Sequence, residues 1–333
     1  MIRRPIVFLP LLAIIAVIAF FFLRTNDDFP SGKPGPEVVV TIQNGALGSE
    51  IAVTLQNSSV IKKASAYIRL ANKDSRTLGV SPGDHRIQTR LPVKEALNQL
   101  LDQRRFVGQV EVKEGSTLSD VLKTLKASKN INQKTMVTKS SVTPALKNSL
   151  SSLEGQLFPA RYSFAPGTTY VTALSTMVNR FQEEVTTTGL NKGFQKYSPY
   201  QALIIASMVQ IEGDPTDFGK VARTIYNRLK IGMPLQLNST VQYAANLRGR
   251  IALSTAATQI RSPYNTYRNV GLPPTPISNP STLAIKATLS PDQGDWLYFI
   301  TVKPGDTRFT SQYSEFQQWE VLYTRNLRAG AFK

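Results

Sequence analysis

The chain begins with an apolar run. Pro5 to Leu23 (PIVFLPLLAIIAVIAFFFL) gives 19 consecutive apolar positions. As a helix they rise about 28 Å, enough to cross a bilayer core of about 30 Å. Thr25 to Glu37 (TNDDFPSGKPGPE) is rich in Pro, Gly and charge and reads as a linker. Then the period changes. Val38–Ile61 and Val107–Ile131 each read as an alternating strand, a glycine turn (Gly45, Gly115) and a short amphipathic helix. In the second stretch, Ser116 or Thr117 suits the cap of a helix carrying Leu118, Val121, Leu122 and Leu125. Between the two, VSPGDHRIQTRLPVKEALNQLL predicts a turn, a strand and a helix. Lys139 to Leu150 is polar and serine-rich and marks an expected domain boundary.

The C-terminal half predicts mainly helices joined by polar loops. SLEGQLFPARYSFAPGTT reads as an ordered loop region. Helices are expected over Val171–Glu184, from Ser198-Pro199 onward, over Phe218–Leu229 and through Glu315–Leu327, with a strand at Trp296–Val302. The expected fold class is α+β: a transmembrane helix, a small β-α region, and a mainly helical domain with a small sheet and a cleft. The segments are a tail (1–4), an anchor (5–23), a linker (24–37), an α/β region of two similar units (38–138) and a C-terminal domain (151–333).

Composition narrows the chemistry. Lys plus Arg is 39 and Asp plus Glu is 22, a net charge of +17, with no cysteine and one histidine. That excludes a disulfide scaffold, a cysteine zinc site, an iron–sulfur cluster and a cysteine nucleophile. A lone His85 argues against a Ser-His-Asp triad and cannot form a multi-histidine zinc site. It follows the Gly83 turn and is expected to be exposed and without a catalytic role. Arg3 and Arg4 precede the apolar run and Asp27 and Asp28 follow it. The positive-inside rule therefore keeps the N-terminus in the cytoplasm and sends the rest of the chain across the membrane. No small-x-small cleavage site follows Leu23, which favours an uncleaved anchor over a signal peptide. A basic chain outside the cytoplasm meets anionic lipid headgroups, wall polymers or acidic glycans rather than nucleic acid. Scattered charge for solubility is the alternative.

One carboxylate stands out. In SPYQALIIASMVQIEGDP, Ser198 suits an N-cap, Pro199 the first helical position, and Gly213 and Pro215 the end. At about 100° per residue from Ile205, Val209 falls near +40°, Ala202 near +60° and Glu212 near −20°. Ser207 and Gln210 fall near 200° and 140°, on the far side. Glu212 thus lies in the apolar stripe, where desolvation should raise its pKa and suit it to general acid catalysis. The alternative is a glutamate at a frayed last turn, exposed or paired with an arginine. Two stretches offer polar groups for a cleft around it. In Leu229–Ala244, Gln236, Asn238 and Thr240 alternate with apolar residues. Ser262–Pro280 carries Tyr264, Asn265 and Tyr267 on a proline-stiffened loop. Amide and aromatic groups on stiff loops suit sugar recognition; simple packing is the alternative for either tyrosine alone.

These segments resemble the YceG-like (MltG-type) family of endolytic murein transglycosylases. The likeness is carried by Ala206–Glu212, KVARTIYNRLKIGMPLQLNSTVQYA, SPYNTYRNVGLPPTPISNPSTLAI and WLYFITV, and upstream by LEGQLFPARYSFAPGT. The two strand–turn–helix stretches resemble LysM-like modules, which bind N-acetylglucosamine polymers. The resemblance implies a membrane-anchored enzyme that cuts nascent glycan strands internally and leaves a 1,6-anhydro-N-acetylmuramic acid end. It implies Glu212 as the catalytic residue, with Gln236, Asn238, Tyr264 and Asn265 positioning sugar. No metal or organic cofactor is required. The implied partners are glycan strands, the bilayer and peptidoglycan synthases. The chain departs from the family pattern at Gln210 (a Glu there), at Asn238-Ser239 (Asp-Pro) and around Thr307 (a later His). A muramidase using a second carboxylate such as Asp214 or Asp217, or a non-catalytic wall-binding scaffold, are the alternatives.

Overall fold

The structure is a computed structural model that describes residues 27–43, 45–135, 142–147, 152–164, 166–247 and 257–332. The expected tail and anchor (1–23) lie outside the described residues. Among the described residues, no helix is long and apolar enough to cross a membrane. The chain forms two compact units, Met1–Gln109 with Tyr162–Gly167, and Val110–Arg161 with Thr168–Lys333.

In the first unit, strand β1 (Glu37–Ile42) is followed by helices α1 (Gly48–Asn57) and α2 (Ala64–Ala71), then by strand β2 (Gly83–Gln88). β1 and β2 pair antiparallel, with Val40 opposite His85. Helix α3 (Val93–Leu101) follows. Ile42, Ile51, Leu55, Tyr67, Ile87, Leu97 and Leu100 form one buried cluster, so alternating strand positions and helical stripes meet in a common core. His85 is fully buried, contrary to expectation. Its Nε2 lies 2.9 Å from the Ser81 carbonyl, and its ring sits 4.3 Å from that of Phe106.

Strands β3 (Gln109–Glu111) and β4 (Arg161–Ser163) carry the chain between the units. The second unit holds helices α4 (Leu118–Ala127), α5 (Tyr170–Thr188), α6 (Pro199–Glu212), α7 (Phe218–Lys230), α8 (Asn238–Ala245), α9 (Thr282–Leu289) and α10 (Tyr313–Arg328). Strands β5 (Tyr298–Lys303) and β6 (Asp306–Thr310) form an antiparallel hairpin with Phe299 opposite Phe309. The architecture is α+β, as expected.

The division near Lys139–Leu150 is not where the units part. Most of the second strand–turn–helix stretch belongs to the C-terminal unit, and hydrogen bonds explain why. Gly115 N–H donates to the Asn279 carbonyl at 2.8 Å, Asn279 Nδ2 donates to the Ser116 carbonyl at 2.9 Å, and Leu118 N–H donates to Glu154 Oε1 at 2.9 Å. None of these long-range bonds leaves a mark on local composition.

Helix α6 is the centre of the second unit. Ser198 and Gln201 form a reciprocal capping box at its start, with Pro199 at the first position. One flank packs through Ile205, Met208 and Val209 against Phe218, Val221 and Ile225 of α7. The other packs through Ala202, Leu203 and Ala206 against Phe181 and Val185 of α5 and Ile285 of α9. From Ala202 to Val209 the helix is therefore buried on all sides, so the far side expected to be polar is buried at Ser207 and only half-exposed at Gln210. Ser207 Oγ donates to the Ile204 carbonyl at 2.7 Å and accepts from Ile277 N–H at 3.0 Å. Gln210 Oε1 accepts from Ser281 N–H at 2.8 Å, beside the side-chain cap of α9. Both groups fasten the proline-rich loop to α6.

Candidate active site

Glu212 is the last residue of α6, and Gly213 beyond it turns the chain into extended backbone. Buried α6 delivers this carboxyl to the base of a cleft of about 650 Å³ in the second unit. Part of the Glu212 surface opens on the cleft while protein surrounds the carboxyl, and this desolvation pushes its pKa above the ordinary value. Ser239 and the Arg228 guanidinium pull the other way, with a smaller effect. The backbone N–H of Ser239 donates to Glu212 Oε1 at 3.1 Å. The Ser239 hydroxyl also favours the anion, without meeting the geometry of a hydrogen bond. Since Ser239 lies in the first turn of α8, its N–H is one of the free donors at a positive helix end.

Arg228, on α7, is buried with its guanidinium carbon 5.4 Å from the Tyr298 ring centre. It donates to the carbonyls of Leu297, Pro234 and Leu235. Its charge is thereby fixed in place close to the cleft base.

The Gln236–Asn238–Thr240 alternation does not continue as an extended segment. Helix α8 starts at Asn238, and Gln236 holds a left-handed backbone (φ 51°) just before it. Thr266 fastens this entry: its carbonyl accepts from Gln236 N–H at 3.1 Å, and its hydroxyl accepts from Leu237 N–H at 3.0 Å. Gln236 and Asn238 are both exposed and line the cleft. Asn238 Oδ1 accepts from the Tyr267 hydroxyl at 2.7 Å.

Tyr264 and Asn265 are placed otherwise. Asn265 has no exposed surface; its Nδ2 donates to the Thr258 and Ile260 carbonyls, both at 2.9 Å, and its Oδ1 accepts from Tyr267 N–H at 3.0 Å. Tyr264 packs 5.0 Å from Tyr243 and its hydroxyl meets Thr275 at 2.8 Å. Neither is among the residues lining the cleft. Together they support the loop, and Tyr267 is the residue it presents. Burial and the nearby Glu212 carboxyl both push the Tyr267 phenol up.

The opposite wall consists of β5 and α10, with Tyr298, Tyr313, Phe316 and Glu320. The Tyr298 ring lies 5.4 Å from both Tyr313 and Phe316. On α10, Tyr313, Phe316, Glu320 and Tyr323 are spaced at three, four and three residues, which puts them on one helical face. That periodicity was available to find this wall. Asp214 is exposed, Asp217 precedes α7, and neither lines the cleft. Among the described residues, no cluster of three His, Cys, Asp or Glu side chains could hold a metal ion.

An α+β scaffold carrying one carboxyl at the base of an aromatic- and amide-walled cleft is the class of protein these observations define. The chain belongs to the YceG-like family, whose model matches residues 40–320. It is 37% identical over 180 residues to a protein of Bacillus subtilis (strain 168) named endolytic murein transglycosylase, a match covering 53% of this chain and 49% of that protein. A Streptococcus pneumoniae protein of the same name is 37% identical over 153 residues, covering 44% of this chain and 28% of the relative. The chain thus spans about half or less of the length of these relatives. A crystal structure of a YceG-like protein from Listeria monocytogenes matches with a TM-score of 0.54 and 24% identity, over 85% of this chain and 99% of that one; this likeness concerns the fold.

Proposed function

We propose that this protein is an endolytic lytic transglycosylase that cleaves the β-1,4 bond between N-acetylmuramic acid and N-acetylglucosamine within nascent peptidoglycan strands. The observation that carries the reading is the balance at Glu212. Desolvation favours the protonated carboxyl, as a general acid needs, while the Ser239 N–H and Arg228 stand ready to hold the anion left behind. Glu212 protonates the bridging oxygen and the glycosidic bond breaks. The resulting carboxylate takes the proton from the 6-hydroxyl of the same muramic acid residue, whose oxygen attacks the anomeric carbon and closes the 1,6-anhydro ring. The nucleophile belongs to the substrate, so no second carboxylate is needed to activate water, and proximity lowers the barrier.

Gln236, Asn238 and Tyr267 supply hydrogen-bonding groups on one side of the scissile bond, and Tyr298, Tyr313 and Phe316 supply ring faces on the other. The names of the two relatives support the same reading. Residues 5–23 anchor the chain in the bacterial cell membrane with both units on the outer side, beside the glycan polymerases. The antiparallel β1–α1–α2–β2 arrangement of the first unit supports a LysM-like, strand-holding role there.

A muramidase is the second reading, favoured by one observation: Glu320 lines the same cleft as Glu212 and could serve as base or nucleophile. Full-length protein in detergent, incubated with uncrosslinked glycan strands, separates the two. A 1,6-anhydro end supports transglycosylation, a reducing muramic acid end supports hydrolysis, and unchanged cleavage by Glu212→Gln removes both.

A further inference from the structure

A second buried carboxylate in the same unit has no place in the chemistry above. Glu154 is 4% exposed. Its Oε1 accepts from Leu118 N–H, the first residue of α4, at 2.9 Å, and its Oε2 accepts from the Tyr243 hydroxyl at 2.9 Å. Tyr243 lies on α8 four residues after Ser239, hence on the same face, one turn on. Helix α8 has only eight residues and no side-chain cap at its start. Besides the packing of the buried Val241, the polar bonds that seat it include those of Thr266 at its entry, Ser239 to Glu212, and Tyr243 to Glu154.

The segment bearing Glu154 is rigid. Gly155 has φ +80°, and a Cβ there would meet Pro276 Cβ at 2.5 Å, so both backbone angle and space demand glycine. Leu157 N–H donates to Asn279 Oδ1 at 2.9 Å. The Gln156 amide donates to the carbonyls of Leu146 and Ser152 at 3.1 and 3.0 Å. A fixed carboxylate thus holds one end of a short helix whose other end touches the reactive carboxyl.

We propose that Glu154 is a positioning residue for the reaction: through the Tyr243 hydroxyl it sets the seat of α8, and with it the Ser239 N–H that faces Glu212. This rests on the reading of Glu212 as the proton-transferring group. The other charged or titratable groups around Glu212 are Arg228 from α7, Tyr267 from the 262–269 loop and Glu320 from α10. The route from Glu154 through α8 is tested by substitutions that leave all three in place.

The test uses Glu154→Gln and Tyr243→Phe in the full-length protein. Tyr243→Phe removes one oxygen and keeps the ring packed on Tyr264, so it remains informative if Glu154→Gln does not fold. Two quantities are read per mole of folded protein: glycan cleavage across pH, and the carboxyl-carbon NMR titration of Glu212. With the Ser239 donor displaced, the Glu212 titration midpoint moves upward, and the high-pH limb of kcat moves with it. kcat falls by about tenfold or more while KM stays within about twofold. An unmoved titration midpoint with wild-type kcat in a folded variant overturns the proposal. So does a loss of melting temperature alone, since a merely structural role would leave midpoint and limb in place. Failure of the Glu212 reading is separate: it would appear as undiminished cleavage by Glu212→Gln.

Discussion

Ser239, in the first turn of α8, donates its backbone N–H to Oε1 of Glu212, the last residue of α6, across 3.1 Å. A helix C-terminus is an unfavourable place for a carboxylate, because the partial charge there is negative. The positive end of α8 offsets it. Burial favours the protonated form of Glu212, and the α8 donor with Arg228 favours its anion; the proposed reaction would draw on both.

The first prediction concerns Glu212 itself. Glu212→Gln keeps shape and hydrogen-bonding capacity but cannot transfer the proton. Cleavage should fall by about 10²–10⁴-fold, the usual worth of a general acid–base group. Circular dichroism should be unchanged.

Stability should move in the opposite sense at higher pH. The Glu212 pKa is raised in the folded state from an ordinary value of about 4.5. Between the two values the folded chain binds more protons than the unfolded one, so this group's contribution to stability falls as pH rises through that window. Glu212→Gln lacks the effect. Its melting temperature relative to wild type should rise on going from acid to neutral pH, as calorimetry at several pH values would read. Activity should likewise fall with rising pH once Glu212 loses its proton, giving a high-pH limb in kcat.

Tyr267 and Asn265 should separate although they are neighbours. Tyr267→Phe removes the bond to Asn238 within the cleft and should cost about five- to tenfold in kcat/KM, with little change in melting temperature. Asn265→Ala removes the buried amide that bonds the Thr258 and Ile260 carbonyls and the Tyr267 N–H. It should cost about 2–4 kcal/mol of stability in denaturant unfolding. Equal effects of the two on both readouts would contradict the placement.

Gln210→Ala should be mild in catalysis but not in stability. Its carbonyl is the partner of Ser281 N–H, and leaving that donor unpaired costs about 1–3 kcal/mol. Activity per mole of folded protein should stay near wild type.

Much of the site was legible in the sequence because α6 carries its own punctuation. Ser198-Pro199 starts it, Gly213 stops it, and the phase of Glu212 follows. What the phase could not convey was that α6 is covered on every side from Ala202 to Val209, since two separate clusters flank it and Ser207 and Gln210 on the far side are bonded to the 277–281 backbone. Helix α8 escaped because the residue before its first turn is Leu237, which supplies no side-chain cap, inside a stretch that alternates like a strand. Its most useful group is a backbone N–H, which no residue type announces. Among Tyr264, Asn265 and Tyr267, composition gave no ranking. Only the turn held by the buried Asn265 amide determines that Tyr267 reaches the cleft. His85 misled for a related reason: a turn glycine beside it suggested exposure, but the alternation of β2 points it into the core.

The central claim is that Glu212 passes a proton out and back while the substrate supplies its own nucleophile. The mass of the muramic acid end released from uncrosslinked strands by the full-length protein tests this most directly. The account predicts ends lighter by one water than a reducing sugar, formed by wild type and absent with Glu212→Gln. Reducing ends from wild type, or anhydro ends formed undiminished by Glu212→Gln, would contradict it.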